Sequence, residues 1–267
     1  MKNILFTIIS LAIITPSNAQ EAAGKKFQAG LVFGTGTSFS KMGTKVMQND
    51  GAGADLLIGG NFNFMFTESI GLTTGVEIDF STSKFKAGDK PVYYYYNDTE
   101  ILEYPADKNG KQLYELESRK QKSTLLTIPT MLIFRTNFIG YFRYFGKLGL
   151  RSSFLLSQKS NDEGFNFDPD NEFGARVAAP NDNMKAKNEM IFFRSSVGIA
   201  GGAEWNFTGS TSLVAEIGYY YGFVPLFYNR KDPYLSTSGV NNGTGADVPF
   251  NNSATQSQLQ LKISILF

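Results

Sequence analysis

The sequence predicts an all-β fold: an eight-stranded antiparallel up-and-down transmembrane β-barrel with long extracellular loops and short periplasmic turns. Three observations predict it. Eight segments of about ten residues or more alternate apolar and polar positions, the length a tilted strand needs to cross a bilayer; strands of soluble proteins average about 5–6 residues. Short and long connections between these segments alternate without exception, as they do when one end of a meander faces the periplasm and the other faces outward. The last segment, QLQLKISILF (Gln258–Phe267), alternates strictly and ends on a bare phenylalanine. Such a strand suits a sheet in lipid, where an open edge is not tolerated and the last strand must pair with the first.

The elements follow in chain order. Residues 1–19 read as a secretory signal: Lys2, an apolar run over Ile4–Ile14, and small residues at Ser17-Asn18-Ala19. The barrel domain is then 20–267. Its first strand sets Phe27, Ala29, Leu31 and Phe33 against Gln28, Gly30, Gly34 and Gly36. The second sets Ala54, Leu56, Ile58, Phe62, Phe64 and Phe66 against Asp55, Gly59, Asn61 and Asn63. In the third, Leu72, Val76, Ile78 and Phe80 oppose Gly71, Gly75, Glu77 and Asp79. In the fourth, Leu126, Ile128, Leu132 and Phe134 oppose Thr127, Pro129, Met131 and Arg135. In the fifth, Tyr144, Leu148, Leu150 and Phe154 oppose Lys147, Gly149, Arg151 and Ser153. In the sixth, Ile191, Phe193, Val197, Ile199, Ala203 and Trp205 oppose Arg194, Ser196, Gly198, Gly202 and Glu204. The seventh sets Leu213, Ala215, Ile217, Tyr219 and Tyr221 against Glu216, Gly218, Tyr220 and Gly222. The eighth sets Leu259, Leu261, Ile263, Ile265 and Phe267 against Gln258, Gln260, Lys262 and Ser264. Short links fall at Thr67–Ser69, Thr136–Gly140 and Thr208–Ser212. The long polar ones fall at about 40–52, 82–122, 158–188 and 227–256. Ten strands would require a further membrane hairpin within 82–122, and Tyr104–Glu117 carries charges on both parities, so eight is the expected count.

The polar set tells inside from outside. It is mostly Gly, Ser and Asn with isolated charges, unlike the Lys-, Glu- and Thr-rich face that water selects. Glycine weakens a strand unless something large must pass close by, and in a narrow barrel that something is a long side chain reaching across the lumen. Asp55, Glu77, Asp79, Glu204 and Glu216 therefore face Arg135, Lys147, Arg151, Arg194 and Lys262 in a predicted interior network, since unpaired buried charges are costly. Aromatic residues bound the apolar band. Phe66, Trp205, Phe207 and Phe267 form one girdle beside the short turns; Phe39, Phe80, Phe154, Tyr221 and Phe223 form the other toward the long loops.

Composition removes several function classes. Lys+Arg number 25 against 24 Asp+Glu, which argues against a nucleic-acid binder. There is no Cys, hence no disulfide framework or thiolate chemistry, and no His, the commonest general base and metal ligand. A Ser or Thr nucleophile would need another base; Lys147 and Ser153 share a parity, but nothing in the sequence sets their geometry. No enzymatic activity, cofactor or metal is expected. The segment NFDPDNEFG, Asn166–Gly174, clusters oxygen ligands without the spacing of a calcium-binding loop and reads as an acidic turn. KPVYYYYND, Lys90–Asp98, places Tyr93, Tyr94, Tyr95 and Tyr96 in the longest outer loop. They are either a contact surface for a glycan or protein, or a β-extension of the hairpin beyond the membrane.

LLTIPTMLIFRTN, Leu125–Asn137, followed by RYFGKLGLRSSFLL, Arg143–Leu156, resembles the strand–turn–strand core of PorT-family outer-membrane β-barrels. SVGIAGGAEW, Ser196–Trp205, and the final LQLKISILF are similar in style to the later strands of that family. The pattern departs at Thr127, where an acidic residue is frequent, and at Lys147, which replaces a small apolar residue. The resemblance implies an outer-membrane location and a structural or interaction role, by loop display or by docking within an envelope or secretion assembly. It carries no functional residue over to this chain. The implied partners are outer-membrane lipid, the barrel assembly machinery that reads a terminal aromatic strand, and an envelope protein or extracellular ligand met through the long loops. The alternative is a narrow ion or small-solute channel lined by the interior charges.

Overall fold

The computed structural model describes residues 26–43, 46–102, 110–168, 171–187, 189–208, 211–227 and 253–267; the expected secretory signal lies outside them. Among the described residues the chain is all-β. Its strands are β1 (Phe27–Met42), β2 (Met47–Asn49), β3 (Gly53–Met65), β4 (Ile70–Ala87), β5 (Val92–Asn97), β6 (Glu100–Ile101), β7 (Gln112–Arg135), β8 (Phe142–Asp168), β9 (Asn171–Ala178), β10 (Asn181–Ala186), β11 (Phe193–Thr208), β12 (Thr211–Gly222) and β13 (Ala254–Leu266).

The eight alternating segments are β1, β3, β4, β7, β8, β11, β12 and β13. Each pairs antiparallel with the next in chain order, and β13 pairs back onto β1 from Gly30↔Leu266 to Met42↔Ala254. The Phe267 amide completes this seam by donating to the Ala29 carbonyl at 2.8 Å. The strand count itself differs from expectation. Thirteen strands lie in one sheet, because β2, β5, β6, β9 and β10 arise within segments expected to be loops. Strands β7 and β8 run on for 24 and 27 residues, and their far halves pair with β5 and with β9 and β10, while β2 pairs with the far end of β4. Backbone groups that would otherwise need water are satisfied there by further pairing.

Alternation fixes which face is inside. Leu31 is 65 % exposed, while Arg151 is 1 % exposed; Phe33, Ile58, Ile199 and Ile263 share the outer face with Leu31. A soluble protein would reverse this pattern. Buried apolar clusters lie at two levels of the structure. Ile133, Phe145, Val214 and Leu266, with Met65 against them, lie beside the short turns. A larger cluster including Met47, Phe85, Val92, Tyr94, Tyr114, Leu116, Met184, Leu226 and Phe227 sits at the long-connection end.

Two links explain how the ring turns tightly. At the β3–β4 corner the Thr67 hydroxyl accepts from the Ile70 and Ser69 amides at 3.0 and 3.3 Å. At the β7–β8 corner Gly140 takes φ +64°, a conformation that disfavours a side chain, and Ile139 bridges Phe142. The third corner falls partly outside the described residues.

Candidate functional site: the charged interior

Seven of the eight ring strands place a buried charge on the inward set of alternate positions; β1 contributes Gln28 instead. Arg151 of β8 stands at the centre. One of its terminal nitrogens donates to Glu77 at 2.7 Å and to Asp79 at 2.9 and 3.2 Å; the other donates to Gln258 at 3.3 Å. Lys262 reaches the second oxygen of Glu77 at 2.7 Å, and Thr127 donates to Asp79 at 2.6 Å. Lys147 pairs with Glu216 at 2.6 Å. Nearer the short turns, Glu204 takes two bonds from Arg143, at 2.7 and 2.8 Å, with Arg135 at 3.9 Å. Gln28 accepts from Arg135 at 2.7 Å and from Arg143 at 3.3 Å.

The Tyr220 ring lies among these groups, 4.8 Å from the Arg151 guanidinium carbon and 5.6 Å from the Lys262 ammonium. It shows what the interior glycines are for. A Cβ at Gly198 would stand 2.2 Å from the ring, and one at Gly218 would stand 2.8 Å from its hydroxyl. The strand wall is bare where the tyrosine crosses it.

All ten charges expected inside are buried, but not all are paired. Among the described residues Arg194 has no carboxylate within 4 Å. It donates only to Gln256, at 3.4 Å, and its second terminal nitrogen has no partner. Asp55 accepts from Gln258 at 2.9 Å, and its other oxygen is without a partner. Both stand toward the outer end, above the Arg151 cluster. A cavity of about 30 Å³, enough for one or two waters, is lined there by Arg151, Ser153, Arg194, Gln256 and Gln258. The expected network forms, but unevenly: Glu77 takes both Arg151 and Lys262 and Glu204 takes both Arg143 and Arg135, while Asp55 and Arg194 are held by amides. Arg143 was legible from parity, being four residues before Lys147. Thr127 and Tyr220 gave no charge signal.

A second polar cluster stands in the outer sheet. Arg119 donates to Asp162 through two bonds, at 2.7 and 2.6 Å, and to Glu189 at 3.3 Å. The Tyr94 hydroxyl donates to Asp162 at 2.8 Å, and that of Tyr114 to the Ala179 carbonyl at 2.7 Å. Burial, and next the Asp162 carboxylate, push the hydroxyls of Tyr94 and Tyr114 well above the usual tyrosine range. These contacts correct the reading of the tyrosine run as a display surface. Tyr93, Tyr94, Tyr95 and Tyr96 are 0, 0, 4 and 7 % exposed, because β5 pairs with β7 and is covered on both faces. Tyr94 and Tyr96 join the outer cluster, whereas Tyr93 and Tyr95 lie against Phe167 and Leu113. The β-extension is what the structure contains. Part of the acidic segment Asn166–Gly174 lies outside the described residues.

The aromatic residues expected at the rims are outward. Phe66, Trp205, Phe207 and Phe267 are exposed at the short-turn end, where Trp205 stacks on Phe142 at 6.2 Å and meets Phe207 at 5.7 Å. At the other end Phe39, Phe80, Tyr221 and Phe223 are exposed. Phe154 is half-buried between Phe192 and Phe193, at 5.9 and 5.3 Å.

Among solved structures the chain is similar to Ail, the attachment invasion locus protein of Yersinia pestis, at 10 % identity and TM-score 0.32, over 91 % of this chain and 100 % of that one. It is also similar to Neisserial surface protein A, at 9 % identity and TM-score 0.32, over 90 % of this chain and 97 % of that one. The outer membrane protease OmpT from Escherichia coli matches at 9 % identity and TM-score 0.34, over 94 % and 99 %. No curated protein matches the chain. Residues 18–228 match the family described as outer membrane protein beta-barrel domain. The chain belongs to that family, and it is a protein of the outer membrane.

Proposed function

We propose that the eight paired strands form a transmembrane barrel whose interior is a structural plug. On this reading the protein is a non-enzymatic structural or interaction protein. It presents its outer β-sheet to an extracellular ligand, or docks within an envelope or secretion assembly, as the PorT-family resemblance implies. Outer-membrane lipid surrounds it, and the barrel assembly machinery inserts it through the terminal strand. The observation that carries the reading is the filled interior. Buried apolar clusters flank the network of Arg151, Glu77, Asp79, Lys147, Glu216 and Lys262, and a second charged group, Arg135, Arg143 and Glu204, fills the interior beyond the cluster nearer the short turns. A ring of eight strands leaves an interior that side chains fill.

One observation favours the runner-up, a narrow channel. Arg194, which lines the interior cavity, and Asp55, bonded to the lining residue Gln258, each carry an unpartnered polar atom, as ion-path residues would. Conductance across planar bilayers distinguishes the two. The plug reading expects no steady conductance from the refolded protein, and leak from Arg151→Ala and Glu216→Ala. A stable wild-type conductance that shifts with either substitution would replace it with the channel.

A further inference from the structure

The outward face of β4, β7 and β8 carries a grid of positive charge. Register places three rows side by side across these strands: Thr82–Lys122–Lys159, Lys84–Lys120–Asn161 and Lys86–Ser118–Glu163. Five of the nine positions are lysine. Lys84 stands directly opposite Lys120, and Lys122 directly opposite Lys159. Like charges directly opposite one another destabilise a sheet. Among the described residues no carboxylate lies within 4 Å of any of the five. The one acid of the grid, Glu163, sits at its far corner and accepts from Ser118 at 3.2 Å.

The grid has a definite place in the fold. The next rows toward the short turns are Phe80–Thr124–Ser157 and then Ile78–Leu126–Phe154. The lysines therefore begin about 7 Å, two residues along the strand, beyond Phe80 and Thr124 at the edge of the apolar band. On the opposite arc the row Phe39–Ser257–Tyr221–Val197 is uncharged, and the next row out holds a single lysine, Lys41, opposite Thr255. Across three strands and three rows the grid measures about 10 by 13 Å, the scale of a lipid headgroup.

We infer that this lysine face binds the phosphate groups of a phosphorylated glycolipid in the outer leaflet. The bound phosphates neutralise the facing pairs Lys84–Lys120 and Lys122–Lys159, while the acyl chains continue down the apolar band below. Lysine suits this role, since its flexible stem covers apolar surface and its ammonium meets phosphate as a point charge. The inference rests on the transmembrane reading of the eight-strand ring.

The test uses the refolded protein in neutral detergent micelles, with lipid A carrying both phosphates and fully dephosphorylated lipid A as probes. The wild type is compared with the variant Lys84→Gln/Lys120→Gln/Lys122→Gln/Lys159→Gln. Heat-modifiable gel mobility and insertion into neutral vesicles report folding and membrane insertion separately from binding. A lysine beside an anionic surface contributes about fivefold in affinity, so the folded variant should bind the phosphorylated probe at least about tenfold more weakly. The wild type should prefer the phosphorylated probe by a similar factor. Equal affinity for both probes, or undiminished binding by the folded variant, overturns the lysine face. Wild type that fails to insert into neutral vesicles overturns the transmembrane reading instead.

Discussion

Replacing Arg151 by methionine tests the plug directly. Methionine keeps much of the volume and removes the charge. Asp79 would then keep only the Thr127 hydroxyl, at 2.6 Å, and Glu77 would keep only Lys262, at 2.7 Å. Arg151 also loses its stack on Tyr220. Removing one partner from a buried ion pair typically costs about 3–5 kcal/mol, because the remaining charge stays out of water. Asp79 is 3 % exposed and is the charge left behind. The double variant Arg151→Met/Asp79→Asn removes that stranded carboxylate and should recover more than about 1 kcal/mol of the loss. In a hydrated pore the same groups would behave as solvated ions, and the single change would cost at most about 1 kcal/mol. Urea unfolding of the micelle-bound protein measures the difference. Gel mobility reports the barrel, and fluorescence reports Trp205, the single tryptophan, on the outer face. A single variant within about 1 kcal/mol of wild type, with no coupling to Asp79→Asn, would refute the packed-plug argument.

Two further outcomes follow from the same contacts. Gly198→Val drives a side chain into the Tyr220 ring and should destabilise by about 1–3 kcal/mol, with Tyr220→Ala relieving part of the loss in the double variant; thermal unfolding of the four proteins checks it. Above about pH 10 the unfolded chain releases tyrosine protons that Tyr94 and Tyr114 retain when folded, so the folded state binds more protons and stability falls as pH rises. The stabilising contribution is whole below about pH 10 and declines by about 1.4 kcal/mol per pH unit for each such tyrosine. Alkaline titration at 295 nm should show tyrosinate appearing late and together with opening of the outer sheet, and Tyr94→Phe should reduce that late step.

Alternation along the chain suffices to read the ring strands and their orientation. A period of two leaves each strand only two faces, and a face of Leu, Ile and Phe opposite one of Gly, Ser and single charges has one arrangement that lipid accepts. Leu31 outside and Arg151 inside follow from that alone. The closing pair followed as well, since the edge of Leu259–Leu266 not taken by β12 is paired only if it returns to Gly30–Thr37. Parity does not choose partners, however. Arg151 bonds to carboxylates two residues apart on β4, Lys262 shares one of them, and Arg194 on the neighbouring strand has none. These choices depend on how far each long side chain extends along the lumen and where Tyr220 lies, which strand alternation does not encode. The outer sheet was hidden for a different reason. The pairing of β7 with β8 shifts at Glu117 in β7 and again at Leu156 in β8, so alternation breaks once within each of these long strands. Charges on both parities then look like loop. Tyr93 to Tyr96 are covered on both faces, so their periodicity vanishes as well. Only the tertiary pairings could show this, because Tyr94 and Tyr96 share a cluster with residues as distant in the chain as Met184, Leu226 and Ala254, and Tyr93 and Tyr95 share one with Phe167.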